Sequence, residues 1–334
     1  MMILVTGGTG QIGSHLLFYL TQKEDRKIRA IYRFASSLEK IKNIFKRLSH
    51  TGEKQFSQIE WVKADINDIP SLETVFRDVS YVFHATGFIS FQPIDFEKLI
   101  KINVEGTANI VNLCIDFKVK KLCHVSSVSA LSSSVGKITN ESSDWNPEDN
   151  NHDYAISKHG AEMEVWRGSQ EGLKVVIVNP SVVLGAYFWN SGSGLLFEKV
   201  AKGLTFYPSG GTGFVDVEDV AKAMIALQFS EVENQRFVLN GSNQTYEYIL
   251  KKIANYLAVK SPRKKISHRT LRLLAYLDSF LSFLCLKKRT LTPRSADSLG
   301  RIITYDGSKI SEFVDFQYKN IDNSLKEICE KYHK

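Results

Sequence analysis

The sequence has no long hydrophobic run, few cysteines and no obvious metal motif. Its most apolar stretch, Leu271–Leu286, holds 12 apolar residues in 16 and is broken by Arg272 and Asp278. A membrane-crossing helix needs about 20 apolar residues, so none is expected. Cys114, Cys123, Cys285 and Cys329 show no paired spacing, which excludes a zinc ribbon or a disulfide-stapled scaffold. The eight histidines form no His-Glu-x-x-His pair, and no bound metal is expected. There is no internal repeat and no low-complexity tract. A β-prone run begins at residue 2 and leaves no room for a leader peptide. With the sparse cysteines, this points to a reducing, cytoplasmic setting. Basic residues are not interleaved with stacking aromatics, which argues against single-stranded nucleic acid as a partner.

What is present starts at the N-terminus. Met2-Ile3-Leu4-Val5 reads as a buried strand, and Thr6-Gly7-Gly8-Thr9-Gly10-Gln11-Ile12-Gly13 follows it and opens a helical run. Glycines three apart between a strand and a helix allow a tight turn, a close approach to a pyrophosphate and close helix–strand packing. The free N–H groups of the helix start favour phosphate. Further strands are expected at 27–33, 59–65, 81–87, 121–127 and 175–180, with helical patterns between them. Strands alternating with helices imply an α/β, Rossmann-type doubly wound parallel sheet. The expected dinucleotide-binding core spans 1–180 with a return at about 213–240. A smaller C-terminal substrate lobe would take about 181–212 and 241–334. Where an NAD-preferring protein carries an acid at the end of the second strand, this chain has Arg33. A guanidinium accepts a 2′-phosphate, so NADP(H) is favoured and NAD(H) stays open. Asp65 is placed to meet an adenine edge.

Tyr154 and Lys158 stand four apart, on one face of a helix. Together with His84-Ala85-Thr86-Gly87, Asn103-Val-Glu-Gly-Thr107, Val125-Ser126-Ser127 and the glycine loop, they resemble the extended short-chain dehydrogenase/reductase branch, the NAD-dependent epimerase/dehydratase family. The likeness covers most of residues 1–240 and leans toward dihydroflavonol-reductase-like and 3β-hydroxysteroid-dehydrogenase-like members. It implies Tyr154 as general acid/base. Lys158 would lower the tyrosine's pKa and hold the nicotinamide ribose, and Ser127 would bind the reacting oxygen, with Ser126 as the one-residue alternative. Asn103 would support a helix bend or a proton relay, or be a structural amide. Thr6, Gly7, Gly10, Gln11, Ile12, Gly13, Asp65, Ile66, Ala85, Thr86 and Gly87, together with Tyr154 and Lys158, would contact the dinucleotide, with Pro180 and Ser181 lining the nicotinamide. The family's helix pairing implies a homodimer.

Departures narrow the reading. Val128 and Ser129 follow Ser127 where dehydratases carry acids, and Gly213 stands where sugar-nucleotide enzymes often carry an arginine. The expected activity is NADP(H)-dependent reduction of a ketone or aldehyde by hydride transfer. The alternatives are a sugar-nucleotide epimerase with tightly bound NAD and a non-catalytic dinucleotide sensor. Phe88, Phe91, Tyr187, Phe188, Trp189, Phe206 and Tyr207 are expected near the substrate mouth and suggest a lipophilic carbonyl.

Charge is uneven. Residues 251–334 hold 18 Lys and Arg against 8 Asp and Glu, while residues 1–250 hold 25 against 28. The cations crowd around Leu271–Leu286, within 260–294. That stretch reads either as a helix buried in the substrate lobe or as an interfacial helix in peripheral contact with an anionic membrane.

Overall fold

Valine- and isoleucine-rich runs form seven strands: β1 Met2–Thr6, β2 Lys27–Tyr32, β3 Ile59–Lys63, β4 Val79–His84, β5 Lys121–Val125, β6 Val175–Pro180 and β7 Gln235–Leu239. The computed structural model describes the chain except Glu24, Ser134, Asn150, residues 286–291, His333 and Lys334; the side chains at 277 and 279–285 are likewise outside the described residues. The strands lie in the order β7-β6-β5-β4-β1-β2-β3. Every pairing is parallel. This is the expected Rossmann-type sheet, with β7 at its far edge. Helices cover both faces, so the strands can be apolar on both sides. Ile3 and Val5 join one core with Leu16, Leu17, Val220 and Met224, while Leu4 between them joins another with Ile110, Val111 and Val165. That alternation is the period of a pleated strand.

The strand order reverses between β4 and β1, and the chain leaves both at their carboxyl ends. In such sheets that is where a crevice opens. The expected strands run slightly long: Arg33, Asp65, Ala85–Gly87 and Ser126–Ser127 all fall in the loops just beyond. Those loops are the walls of the crevice.

A second, three-stranded sheet joins Gly211–Asp216 in parallel to Val182–Leu184 and antiparallel to Ser242–Thr245. Its core contains Phe197, Phe214, Ile249, Leu250 and Ile253 and is closed by Leu325 and Ile328 of the helix Ile321–Tyr332. The apolar stretch near 271 forms the helix His268–Cys285, starting three residues earlier than expected. Leu271 and Ala275 bury against Ala296 and Leu299. The downstream cations Lys287, Lys288 and Arg289 are outside the described residues. Among the described residues, no helix is long and apolar enough to cross a membrane. None of their His, Cys, Asp and Glu groups could hold a metal. Cys114, Cys123 and Cys329 are buried free thiols.

Candidate active site

The glycine turn is shaped by close contacts. Gly7 has φ +71°, and a Cβ there would lie 2.5 Å from the carbonyl of Ala85. At Gly13 a Cβ would lie 2.1 Å from the oxygen of Gly7. The turn therefore sits flat against the β4 loop and against its own helix Gln11–Leu20. Gly13→Ala pushes the two apart. The expected cost is about 1–3 kcal/mol of stability, read as a lowered melting temperature, together with weaker dinucleotide binding by fluorescence titration. An unchanged melt and affinity would contradict this packing.

A cleft of about 180 Å³ opens beside the turn, lined by Gly7, Gly10, Tyr32, Arg33, Ile66, Ala85, Thr86 and Gly87 among others. The cleft thus collects residues from the loops after β1, β2, β3 and β4. A larger hollow of about 350 Å³ touches Met2, Lys27 and Ile28 at the opposite, amino ends of the strands. It contains none of the candidate residues.

Not every expected contact faces the cleft. Thr6 is fully buried, and its hydroxyl meets His84 Nδ1 at 2.6 Å, so its side chain ties β1 to β4 instead. Gly13 and Ile12 pack inward, Ile12 against the first core. Gln11 carries a buried Nε2 without a hydrogen-bond partner, next to Gly185. Asp65 accepts from the backbone N–H of Asn67 and lies 3.9 Å from Arg33. Arg33 is 54% exposed and lines the cleft end. Pro180 ends β6, and Ser181 next to it has a buried hydroxyl with no partner.

Tyr154 and Lys158 project from the helix Asp153–Gln170. Its N-cap is His152, whose Nδ1 accepts from the N–H of Ala155, and whose ring lies nearly parallel to Tyr154 at 6.0 Å. Burial pushes His152 down to about 4, which keeps the ring neutral and able to accept. Ser127 faces the Tyr154 phenol and opposes the rise in its pKa. Ser126 points the other way and donates to Glu162 at 2.7 Å. Thus Ser127, not Ser126, meets the tyrosine. Lys158 Nζ donates to the carbonyl of Val125 at 2.7 Å and approaches a Cβ built on Gly87 to 4.0 Å. The acid/base cluster and the nucleotide cleft therefore meet at Gly87.

The electrostatics correct one expectation. Tyr154 is not lowered in the free protein. Burial pushes it up to about 12, with Ser127 opposing. Lys158, whose ammonium is tied to Val125, does not figure among the groups that shift it. Burial instead lowers Lys158 to about 8, against the opposing charge of Glu162. His84, fully buried beneath the pair, falls to about 3 through burial and the charge of Lys158.

Asn103 lies in a π-helical segment, Ile100–Glu105. Its amide donates to Phe88 O at 3.0 Å and to Ser157 Oγ at 2.9 Å, and its Oδ1 accepts from Phe88 N at 2.7 Å. All of its polar atoms are engaged in joining the β4 loop to the Tyr154 helix.

Glu162 escaped the sequence reading. It is wholly buried, and it accepts from Ser126 and from Asn179 at 2.9 Å while pairing with Arg236 at 3.2 Å. Asn179 also donates to the carbonyl of Ser127 at 3.0 Å. The signal was available: Tyr154, Lys158 and Glu162 repeat every four residues along one helix face.

The aromatic mouth is narrower than expected. Phe91 packs edge-on to Tyr154 at 5.9 Å. Phe188, in contrast, is buried in the first core, Trp189 packs on Phe197 and Tyr332, and Tyr207 is buried in the lobe core. Tyr187 packs against the same cores, and Phe206 is half exposed. Core packing claims most of the set.

Fold and cleft together define a Rossmann-type nucleotide-binding protein. The chain belongs to the NAD-dependent epimerase/dehydratase family, which matches residues 3–239. It is 28% identical to anthocyanidin reductase of Arabidopsis thaliana over 286 residues, 78% of this chain and 81% of the relative. It is 25% identical to sterol demethylase protein B of Methylococcus capsulatus over 292 residues, 87% and 85% of the two chains. UDP-glucose 4-epimerase of Thermus thermophilus, solved in complex with NAD, superposes with a TM-score of 0.75 at 22% identity, covering 100% of this chain and 99% of that one.

Proposed function

We propose that this protein is an NADP(H)-dependent oxidoreductase that reduces a lipophilic ketone or aldehyde. The observation that carries the reading is the grouping of Ser127 and Tyr154 with Lys158, whose ammonium reaches Gly87 at the end of the nucleotide cleft. The residues present fit a dinucleotide. Gly7 and Gly10 face Ala85, Thr86 and Gly87 across the cleft, and Gln11, next along the chain from Gly10, keeps a buried Nε2 with no hydrogen-bond partner.

Bound NADPH would supply the hydride to the carbonyl carbon. Tyr154 donates its phenolic proton to the carbonyl oxygen and regains one from solvent. Ser127 donates a hydrogen bond to the same oxygen. Lys158, with its ammonium at the Gly87 end of the cleft, would hold the nicotinamide ribose. Phe91, 46% exposed, and the exposed Ile89, Ile94 and Phe96 offer an apolar approach to Tyr154, which suits a lipophilic substrate. The reductase names of relatives support the same reading.

Gly213 argues against a sugar diphosphate. A Cβ there would lie 2.2 Å from Asn240 Oδ1 and 2.9 Å from the ring of Tyr305, so no arginine side chain can leave that position toward a ligand. The epimerase reading still has the Thermus structure in its support. It requires purified protein to carry tightly bound NAD(H); the reductase reading requires reversible NADPH binding.

The test is a screen of aromatic and alicyclic carbonyls followed by NADPH absorbance, with NADH as control. Arg33 should choose between the cofactors, since a charge-assisted hydrogen bond to a 2′-phosphate is worth about 1.5–3 kcal/mol. Arg33→Asp should therefore shift the NADPH:NADH ratio of kcat/KM toward NADH by roughly 10–100-fold. A wild-type protein that already prefers NADH overturns this role for Arg33.

A further inference from the structure

One face of the C-terminal lobe serves neither the cleft nor the acid/base cluster. On the helix His268–Cys285, Leu271 and Ala275 face inward, one turn apart. Leu273 and Tyr276 lie on the opposite stripe and are 60% and 54% exposed, with Leu274 also exposed beside them. Large apolar side chains grouped on an exposed helix face mark an interaction surface. Five exposed cations accompany them: Arg263, Lys264, Lys265, Arg269 and Arg272. Phe206 is half exposed and extends the apolar rim, paired in register with Lys264, whose ammonium stands 5.9 Å from its ring. Of the acids nearby, Asp297 is already engaged by His268 at 2.7 Å and by Arg272 at 3.5 Å, and Glu247, which faces Lys265, is paired with Lys251 at 2.6 Å; Asp278 shares the helix.

We propose that this face docks on an anionic lipid surface. Leu273, Leu274 and Tyr276 enter the headgroup boundary, and the cations around them meet lipid phosphates and carboxylates. Charge selects this occupant. Residues 251–334 carry 18 cations against 8 acids, the rest of the chain 25 against 28. A second copy meeting this face across a two-fold axis would set one basic strip against the other. An interfacial helix needs only an apolar stripe and nearby cations; Leu273 and Tyr276 with Arg269 and Arg272 supply both, and among the described residues no helix is long and apolar enough to span. Each cation near an anionic leaflet raises partitioning roughly fivefold. The inference stands whether or not the protein reduces a carbonyl.

Co-sedimentation of the full chain with vesicles tests it. One set is pure phosphatidylcholine; the other contains about one third phosphatidylserine. The wild type should pellet with the mixed vesicles and be released at about 0.5 M salt. Lys264→Glu with Lys265→Glu, and separately Leu273→Ser with Tyr276→Ser, should each weaken partitioning at least roughly tenfold. All four residues are exposed, so the melting temperature should hold, and it serves as the folding control. No pelleting with mixed vesicles, equal pelleting with neutral ones, or unaffected variants would overturn the proposal. So would size exclusion showing a dimer that Leu273→Ser with Tyr276→Ser breaks while vesicle binding persists.

Discussion

Tyr154→Phe should lower kcat/KM for carbonyl reduction by about 10²–10⁴-fold, the usual share of a positioned general acid. NADPH affinity should hardly change, because the side chains lining the cleft are untouched. Stability should hardly change, since only the phenolic oxygen is removed. Stopped-flow NADPH oxidation and a dinucleotide titration on one preparation separate the two effects. Residual activity within tenfold of wild type would remove Tyr154 from the chemistry. Activity absent in both proteins, with cofactor still bound, would favour the sensor. A phenol held at about 12 by burial is protonated throughout the neutral range, which suits proton donation. The reverse reaction needs a phenolate, and the free protein does not favour one.

Lys158 adds a pH dependence with two opposite signs. Its folded value, about 8, lies below the ordinary 10.5. Between those values the unfolded chain binds more protons than the native one, so stability should rise with pH across that window. Activity should fall over the same window as the ammonium loses its charge. Melting temperature and kcat/KM measured from pH 7 to about 10.5 should therefore diverge.

The second large effect is structural. Glu162→Ala removes the acceptor shared by Ser126, Asn179 and Arg236. It leaves a guanidinium, a hydroxyl and an amide short of a partner in the interior. Breaking such a buried pair costs about 3–5 kcal/mol, which lowers the melting temperature of a protein this size by roughly 4–7 °C. Glu162→Gln keeps the volume but not the charge that supports Lys158. Its activity should therefore fall away at lower pH than in the wild type. An alanine variant melting within a degree or two of wild type would show that the network carries little.

The sheet was legible because buried parallel strands are written as unbroken β-branched runs, and Val175–Val178 is the plainest of them. The glycine turn was legible because Gly7 and Gly13 have no tolerable substitute in space. Thr6 misled, since a hydroxyl beside a phosphate turn and a hydroxyl bonded to His84 look alike in one dimension. Trp189 and Phe188 misled for a related reason: an aromatic after a strand end serves packing as well as a substrate mouth. The Tyr154 shift was illegible because it depends on how much water the fold removes, not on the spacing to Lys158. Glu162 was legible in spacing, but its partner Arg236 lies on the last strand of the sheet, 74 residues away.

The π-helical segment at Ile100–Glu105 fixes an angular phase. Before it, Leu99 is buried; after it, Thr107, Ile110, Val111 and Cys114 turn toward the sheet. A π turn accommodates one residue more than an α turn. Deleting a single residue there would restore α geometry and rotate everything downstream by about 100° relative to what precedes it. Either Asn103 would swing away from Phe88 and Ser157, or the following helix would turn its apolar face off the sheet. The segment works as a gear tooth: it lets one continuous helix serve two surfaces that a regular helix could not face together.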